Sequence, residues 1–262
     1  MEEKSKMKEF FIALQFLTRI KIVTQTVWTE ESFGKSVKYF PAVGAVLGII
    51  YSLVIAILFW IMPDANIFIG AIGFCTAIIL TGAIHCDGLA DSADGLFSGR
   101  DKDKILEIMK DSRAGSFGVV SLILVAILNI SALAELARIS VELICAAIYS
   151  APIIGRLAMV YVIKKFPYAR PAGIGKAFSI YATNKIFLIA LIETILFLLP
   201  IILLDAKIFL ISMVALIISI IFANCAGKFS TKKIGGVTGD IYGAVEILAE
   251  TLTIIIFLLI RF

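Results

Sequence analysis

The feature that most constrains this chain is a series of apolar runs, each close to twenty residues long and each set off by polar residues. They stand at 41–62, 66–84, 117–135, 140–163, 185–204, 207–225 and 243–260. A helix rises about 1.5 Å per residue, so about 20 residues cross the roughly 30 Å hydrocarbon core of a bilayer. The expected fold is therefore all-α: a polytopic integral membrane helix bundle of about seven transmembrane helices. One large soluble core is excluded, because 60% of the residues are hydrophobic and only 17% are charged. The last run is the least apolar, with Glu246 and Glu250 in its first half.

The chain reads as one domain over 1–262, with no internal repeat or low-complexity tract. Ahead of the first run, Met7, Phe10, Phe11, Leu14 and Leu17 recur at helical spacing, flanked by Lys4, Lys6, Lys8 and Arg19. That pattern predicts an N-terminal interfacial helix lying on the bilayer. Its apolar stretch is too short for a signal peptide and lacks a small-residue cleavage site. Cys75, Cys86, Cys145 and Cys225 are scattered through apolar surroundings, with no metal-binding spacing.

Charge sets the expected orientation. The N-terminal segment and the segments 85–113, 164–184 and 226–242 hold most of the lysines and arginines, while the intervening connections are short. The positive-inside rule places these basic segments and the N-terminus in the cytoplasm of a multi-pass cell-membrane protein. Seven spans then put the C-terminus outside. The net charge of +4 is dispersed between spans, which argues against a nucleic-acid partner. A transporter would place polar groups near the bilayer midplane, and only Asn129, Glu193 and Glu142 stand there.

The chemistry concentrates in "LTGAIHCDGLADSADG" at 80–95, where the second run ends. On a helix Asp87, Asp91 and Asp94 fall at i, i+4 and i+7 on one stripe, which Ser98 shares. Three carboxylates on one stripe repel unless a cation lies between them, and oxygen donors suit Mg²⁺ or Mn²⁺. The bland alternative is a solvated acidic helix end; Gly88 and Gly95, which weaken a helix, count against it. His85, the chain's only histidine, is a candidate base or a partner to Asp87, and a histidine-rich metal site is excluded.

Further along, Glu107 and Asp111 form a second i, i+4 acidic pair and are further metal candidates. Arg113 before "AGSFG" has the form of an anion-binding turn. "YARPAGIG" offers Arg170 with Gly173 and Gly175, a planar cation on a glycine-opened turn. "GGVTGD" offers Gly236, Thr238, Gly239 and Asp240 just before the last run. Arg156, inside a span, pairs with an acid or with a substrate phosphate. Acids for metal and arginines for phosphate on one face suit phosphoryl transfer.

The run "HCDGLADSADGLFSGRDKDKILEIMKDSRAGSFG", then "YARPAGIG" and "GGVTGDIYGAVEILAE", together with "LQFLTRI" and "SVKYFPAVGAVLG" near the start, resembles the cobalamin synthase family. The motifs occur in the family's order over nearly the whole chain. The resemblance implies a membrane transferase that joins adenosylcobinamide-GDP to α-ribazole or its 5′-phosphate and releases GMP, with Mg²⁺ as cofactor. It implies that Asp87, Asp91 and Asp94 hold the metal, with one of them or His85 taking a proton. Arg113, Arg156 and Arg170 would neutralise phosphate, and Asp240 with Thr238 and its glycines would close the site. Lys21 follows "LTRI" where the family pattern has proline. A CDP-alcohol phosphatidyltransferase-like enzyme is the alternative: Asp91, Asp94 and Gly95 fit the start of that motif, but Ser98 and Arg100 do not fit its continuation.

Overall fold

The computed structural model describes residues 2–22 and 29–260. The side chains of Lys4, Lys6 and Met7 lie outside the described residues. The described residues form helices joined by turns: α1 (Glu2–Leu17), α2 (Glu30–Lys35), α3 (Phe40–Ile61), α4 (Asn66–Thr81), α5 (Ile84–Leu96), α6 (Lys102–Ile108), α7 (Ser116–Ile139), α8 (Val141–Lys165), α9 (Ile174–Tyr181), α10 (Asn184–Leu198), α11 (Ala206–Ile234) and α12 (Gly239–Leu259). Among the described residues, the only extended pairing is an isolated parallel bridge between Tyr168 and Val237. Among the described residues, six helices can cross a membrane by length and composition, and a seventh span is added if α4 and α5 count as one bent pair.

Helix α8 is the centre of the bundle. Its side chains are buried almost along its length, and α3 and α12 make the broadest contacts with it. The outward faces of α7, α10 and α11 instead carry exposed Leu, Ile and Phe, as lipid-facing helices should. One buried polar link ties two helices of the bundle: Asn129 of α7 donates to the Thr251 hydroxyl of α12 at 2.8 Å.

Two features differ from the sequence expectation. Only 235–238 of the expected 226–242 loop lies outside helices, because α11 runs 29 residues. That is about 43 Å, well beyond the hydrocarbon thickness. Lysine and alanine sustain a helix after apolarity ends, so Lys228, Lys232 and Lys233 ride on it until Gly235, in the left-handed region at φ 80°, ends it. The expected surface helix α1, for its part, docks on the bundle. Ile12, Leu14 and Leu17 are fully buried, and Glu9 pairs with Lys38 at 2.5 Å.

The corner between α4 and α5 positions the acidic motif. Gly82 and Ala83 both take left-handed conformations, φ 64° and 61°, and the chain bends by 91°. The Gly82 and Ala83 amides bond back to Ile79 and Ile78, and the Arg19 amide bonds Leu80 O at 2.7 Å. Alanine in that region costs about 1 kcal/mol, which the surrounding hydrogen bonds offset. The corner carries the aspartates off the axis of the span and lays α5 against α12.

Candidate active site

Helix α5 can approach α12 closely because both present glycine. A Cβ placed on Gly88 would sit 2.7 Å from the Asp240 carbonyl oxygen, and Gly243 faces the His85 backbone. Along this seam lies a cleft of about 200 Å³, lined among others by His85, Asp87, Gly88, Gly175, Gly239 and Asp240. Phe16, Phe178, Met159 and Tyr242 form its apolar walls.

The far rim is built by a local clasp. Ala169 N bonds Val237 O and Val237 N bonds Pro167 O, both at 2.8 Å. The Ser230 hydroxyl donates to Gly236 O at 2.7 Å, which fixes the start of the same turn. Thr238 caps α12 by accepting from Ile241 N and also donates to Asp240 Oδ2 at 3.1 Å. The clasp delivers Arg170 to Asp240, with Nη2 to Oδ2 at 2.8 Å. Arg170 also donates to Met109 O, and its Nε has no hydrogen-bond partner among the described residues. Gly175 packs against Tyr168 and Tyr242, while Gly173, at φ 135°, sits on an adjoining exposed turn. Burial raises the pKa of the Tyr168 phenol, so it stays a neutral hydrogen-bonding group.

The aspartate stripe divides. Asp87 is exposed and Asp91 half-buried, and neither has a hydrogen-bond or ion-pair partner among the described residues. Asp91 lies in the electrostatic field of Asp87, Asp240 and Asp94. Asp94 is otherwise engaged: its two oxygens accept from Gly115 N at 2.7 Å and Gly118 N at 2.9 Å. It thus caps the N-terminus of α7 from outside that helix. Ser98 lies beyond the end of α5, where its hydroxyl bonds Gly95 O at 2.7 Å.

Other residues singled out in the sequence stand apart from this cleft. Glu107 is exposed and pairs with Lys104. Asp111 pairs with the largely exposed Arg113 at 2.6 Å, and the hydrogen bonds from that guanidinium pull the Asp111 carboxyl down to about 2. Arg156 is fully buried; of the two partners considered from sequence it has acids, Glu246 at 2.7 Å and Glu250 at 2.8 Å. Sequence reasoning missed the cleft's aromatic walls. Of these walls, Tyr242 sits inside the same glycine-rich motif that gave Asp240, and that proximity was the available signal.

Among the described residues, no three His, Cys, Asp or Glu side chains converge as a ready-made cage for a metal. Mg²⁺ does not need one: it commonly takes one or two carboxylates and fills its shell with water and phosphate oxygens. Two unpartnered carboxylates a helical turn apart, Asp87 and Asp91, are a donor set that fits it.

This bundle, with a polar cleft set at a bent helix pair, defines a multi-pass membrane enzyme. The model of the family described as cobalamin-5-phosphate synthase matches residues 9–258. The adenosylcobinamide-GDP ribazoletransferase of Fusobacterium nucleatum is 37% identical, with 97% of this chain and 98% of the relative covered. That of Clostridium acetobutylicum is 37% identical over 93% of each chain, and that of a Thermoanaerobacter species 38% identical over 98% of each. No solved structure matches. The chain belongs to the cobalamin-5-phosphate synthase family.

Proposed function

We propose that this protein joins adenosylcobinamide-GDP to α-ribazole, or to its 5′-phosphate, and releases GMP, in the cleft between α5 and α12. The observation that carries the reading is similarity over 93% or more of the chain to relatives bearing that name. The cleft supplies matching chemistry. A ribazole hydroxyl attacks the phosphorus attached to cobinamide; the new P–O bond forms as the bond to the GMP phosphate breaks, and GMP leaves.

Asp87 and Asp91 would hold Mg²⁺, which when bound offsets the charge of the pyrophosphate. Arg170, steered by Asp240, would meet the phosphates with its guanidinium from the opposite rim. His85, at the cleft floor, offers its unpartnered Nε2 to the attacking hydroxyl. The apolar walls from Phe16, Phe178 and Met159 exclude water that would otherwise compete as nucleophile. Asp94 supports this machinery by holding α5 to α7, rather than by contacting metal. The basic segments around the cleft support a cytoplasmic location for it.

The test is GMP release by the detergent-purified protein from adenosylcobinamide-GDP and α-ribazole, with Mg²⁺ and with EDTA. GMP formed only when both substrates and Mg²⁺ are present is the expected result. Absence of GMP under all conditions, with the protein monodisperse, would overturn the assignment.

A further inference from the structure

Behind the cleft lies a second, smaller cavity of about 30 Å³, lined among others by Tyr51, His85, Asn129, Glu246 and Glu250. His85 lines both this cavity and the cleft. Its Nδ1 stands 3.7 Å from Glu246 Oε2, too far for a direct hydrogen bond. Glu246 Oε2 and the Tyr51 hydroxyl are buried without hydrogen-bond partners among the described residues. A cavity of this size, lined by His85, Asn129, Glu246 and Glu250, has room for one bridging water.

Glu246 is paired with a buried arginine. Its Oε1 is 2.7 Å from Arg156 Nη1, which also reaches Glu250 at 2.8 Å and the Pro152 carbonyl at 3.0 Å. The guanidinium is fully enclosed, and its anchor is α8, the most buried helix of the bundle. A carboxylate fixed in this way, one water away from an imidazole at the cleft floor, is suited to fixing the orientation of that ring.

We propose that Glu246, ion-paired with Arg156, is a positioning residue for the transfer reaction: through a water in the buried cavity it orients the His85 ring toward the substrate. Glu250 is the internal control. It shares Arg156 and lines the same cavity, but no contact joins it to His85. The inference rests on the ribazoletransferase reading, because the reaction it tunes is that one.

The experiment compares Glu246→Gln and Glu250→Gln in the full-length enzyme, by steady-state GMP release and by thermal unfolding in detergent. Each variant leaves Arg156 one glutamate, so their stabilities should fall together. Glu246→Gln is expected to lower kcat by about tenfold to a hundredfold, the range seen when the outer partner of an oriented imidazole is removed, with KM within about twofold. Glu250→Gln should keep kcat within about twofold. Should Glu246→Gln not accumulate, Glu246→Asp carries the same comparison, since it keeps the charge beside Arg156 but draws the carboxylate back from His85. Equal loss of kcat in the Glu246 and Glu250 variants, or no loss in the former, overturns the inference and leaves the function standing. Failure of the unaltered enzyme to release GMP overturns the function itself.

Discussion

Replacing Asp94 separates two roles that look alike in the sequence. If Asp94 is a metal ligand, Asp94→Asn weakens Mg²⁺ binding. If it is a cap, the variant weakens the junction between α5 and α7. The structure allows the second effect to be sized. Two amides, Gly115 N and Gly118 N, donate to its carboxylate at 2.7 and 2.9 Å. A hydrogen bond to a charged group contributes about 1.5–3 kcal/mol. Asparagine retains one acceptor oxygen and loses the charge facing the α7 N-terminus, so Asp94→Asn should cost about 1–2 kcal/mol. Asp94→Ala strands both amides and should cost about 2–4 kcal/mol. The assay has two readings. Hydrogen exchange at Gly115 and Gly118 should rise by about tenfold in Asp94→Asn, since 1.4 kcal/mol is a factor of ten. The Mg²⁺ concentration for half-maximal GMP release should stay within about twofold of the unaltered enzyme. A tenfold higher Mg²⁺ requirement with unchanged exchange at the two glycines would refute the capping role.

Asp91→Asn should behave oppositely, raising the Mg²⁺ requirement by about tenfold or more with little change in exchange at Gly115; an unchanged Mg²⁺ titration would remove Asp91 from the metal site. Gly88→Ala forces a methyl to 2.7 Å from the Asp240 carbonyl, an overpacking worth about 1–3 kcal/mol, and should lower both thermal stability and kcat. Arg170→Lys should raise KM for the GDP-bearing substrate about tenfold, because lysine lacks the guanidinium fork that meets Asp240 and phosphate together. Asp111→Asn should leave GMP release unchanged across pH. The depressed Asp111 pKa means that its pair with Arg113 is complete above the ordinary carboxylate range and is lost only as pH falls toward about 2.

Much of the architecture was legible because lipid imposes a length and a composition that few other environments impose. All seven apolar runs became helices, most of them within a few residues of their expected bounds, although α11 runs nine residues past the expected end at 225. The acidic motif was legible as a site because carboxylates on a stripe are costly without a reason. The division of labour inside it was not. Residue type and spacing treat Asp87, Asp91 and Asp94 as equivalent, and what distinguishes Asp94 is a pair of backbone amides more than twenty residues away. The sharp corner at Gly82 and Ala83 was hidden because one of its two left-handed residues is an alanine, which carries no turn signal. The clasp that brings Arg170 to Asp240 depends on a bridge between Tyr168 and Val237, a contact between distant segments that local pattern does not encode.

The pairing of Arg156 bears on how the molecule is made. Arg156 enters the bilayer with α8, but its partner Glu250 follows 94 residues later on α12. Until α12 is inserted, an arginine at the heart of the bundle has neither of the glutamates that enclose it. An uncompensated charge there is costly in lipid. Pairing of that arginine therefore waits for the same helix that brings Asp240 to the cleft. Completion of the scaffold and completion of the active site become a single late event in biogenesis.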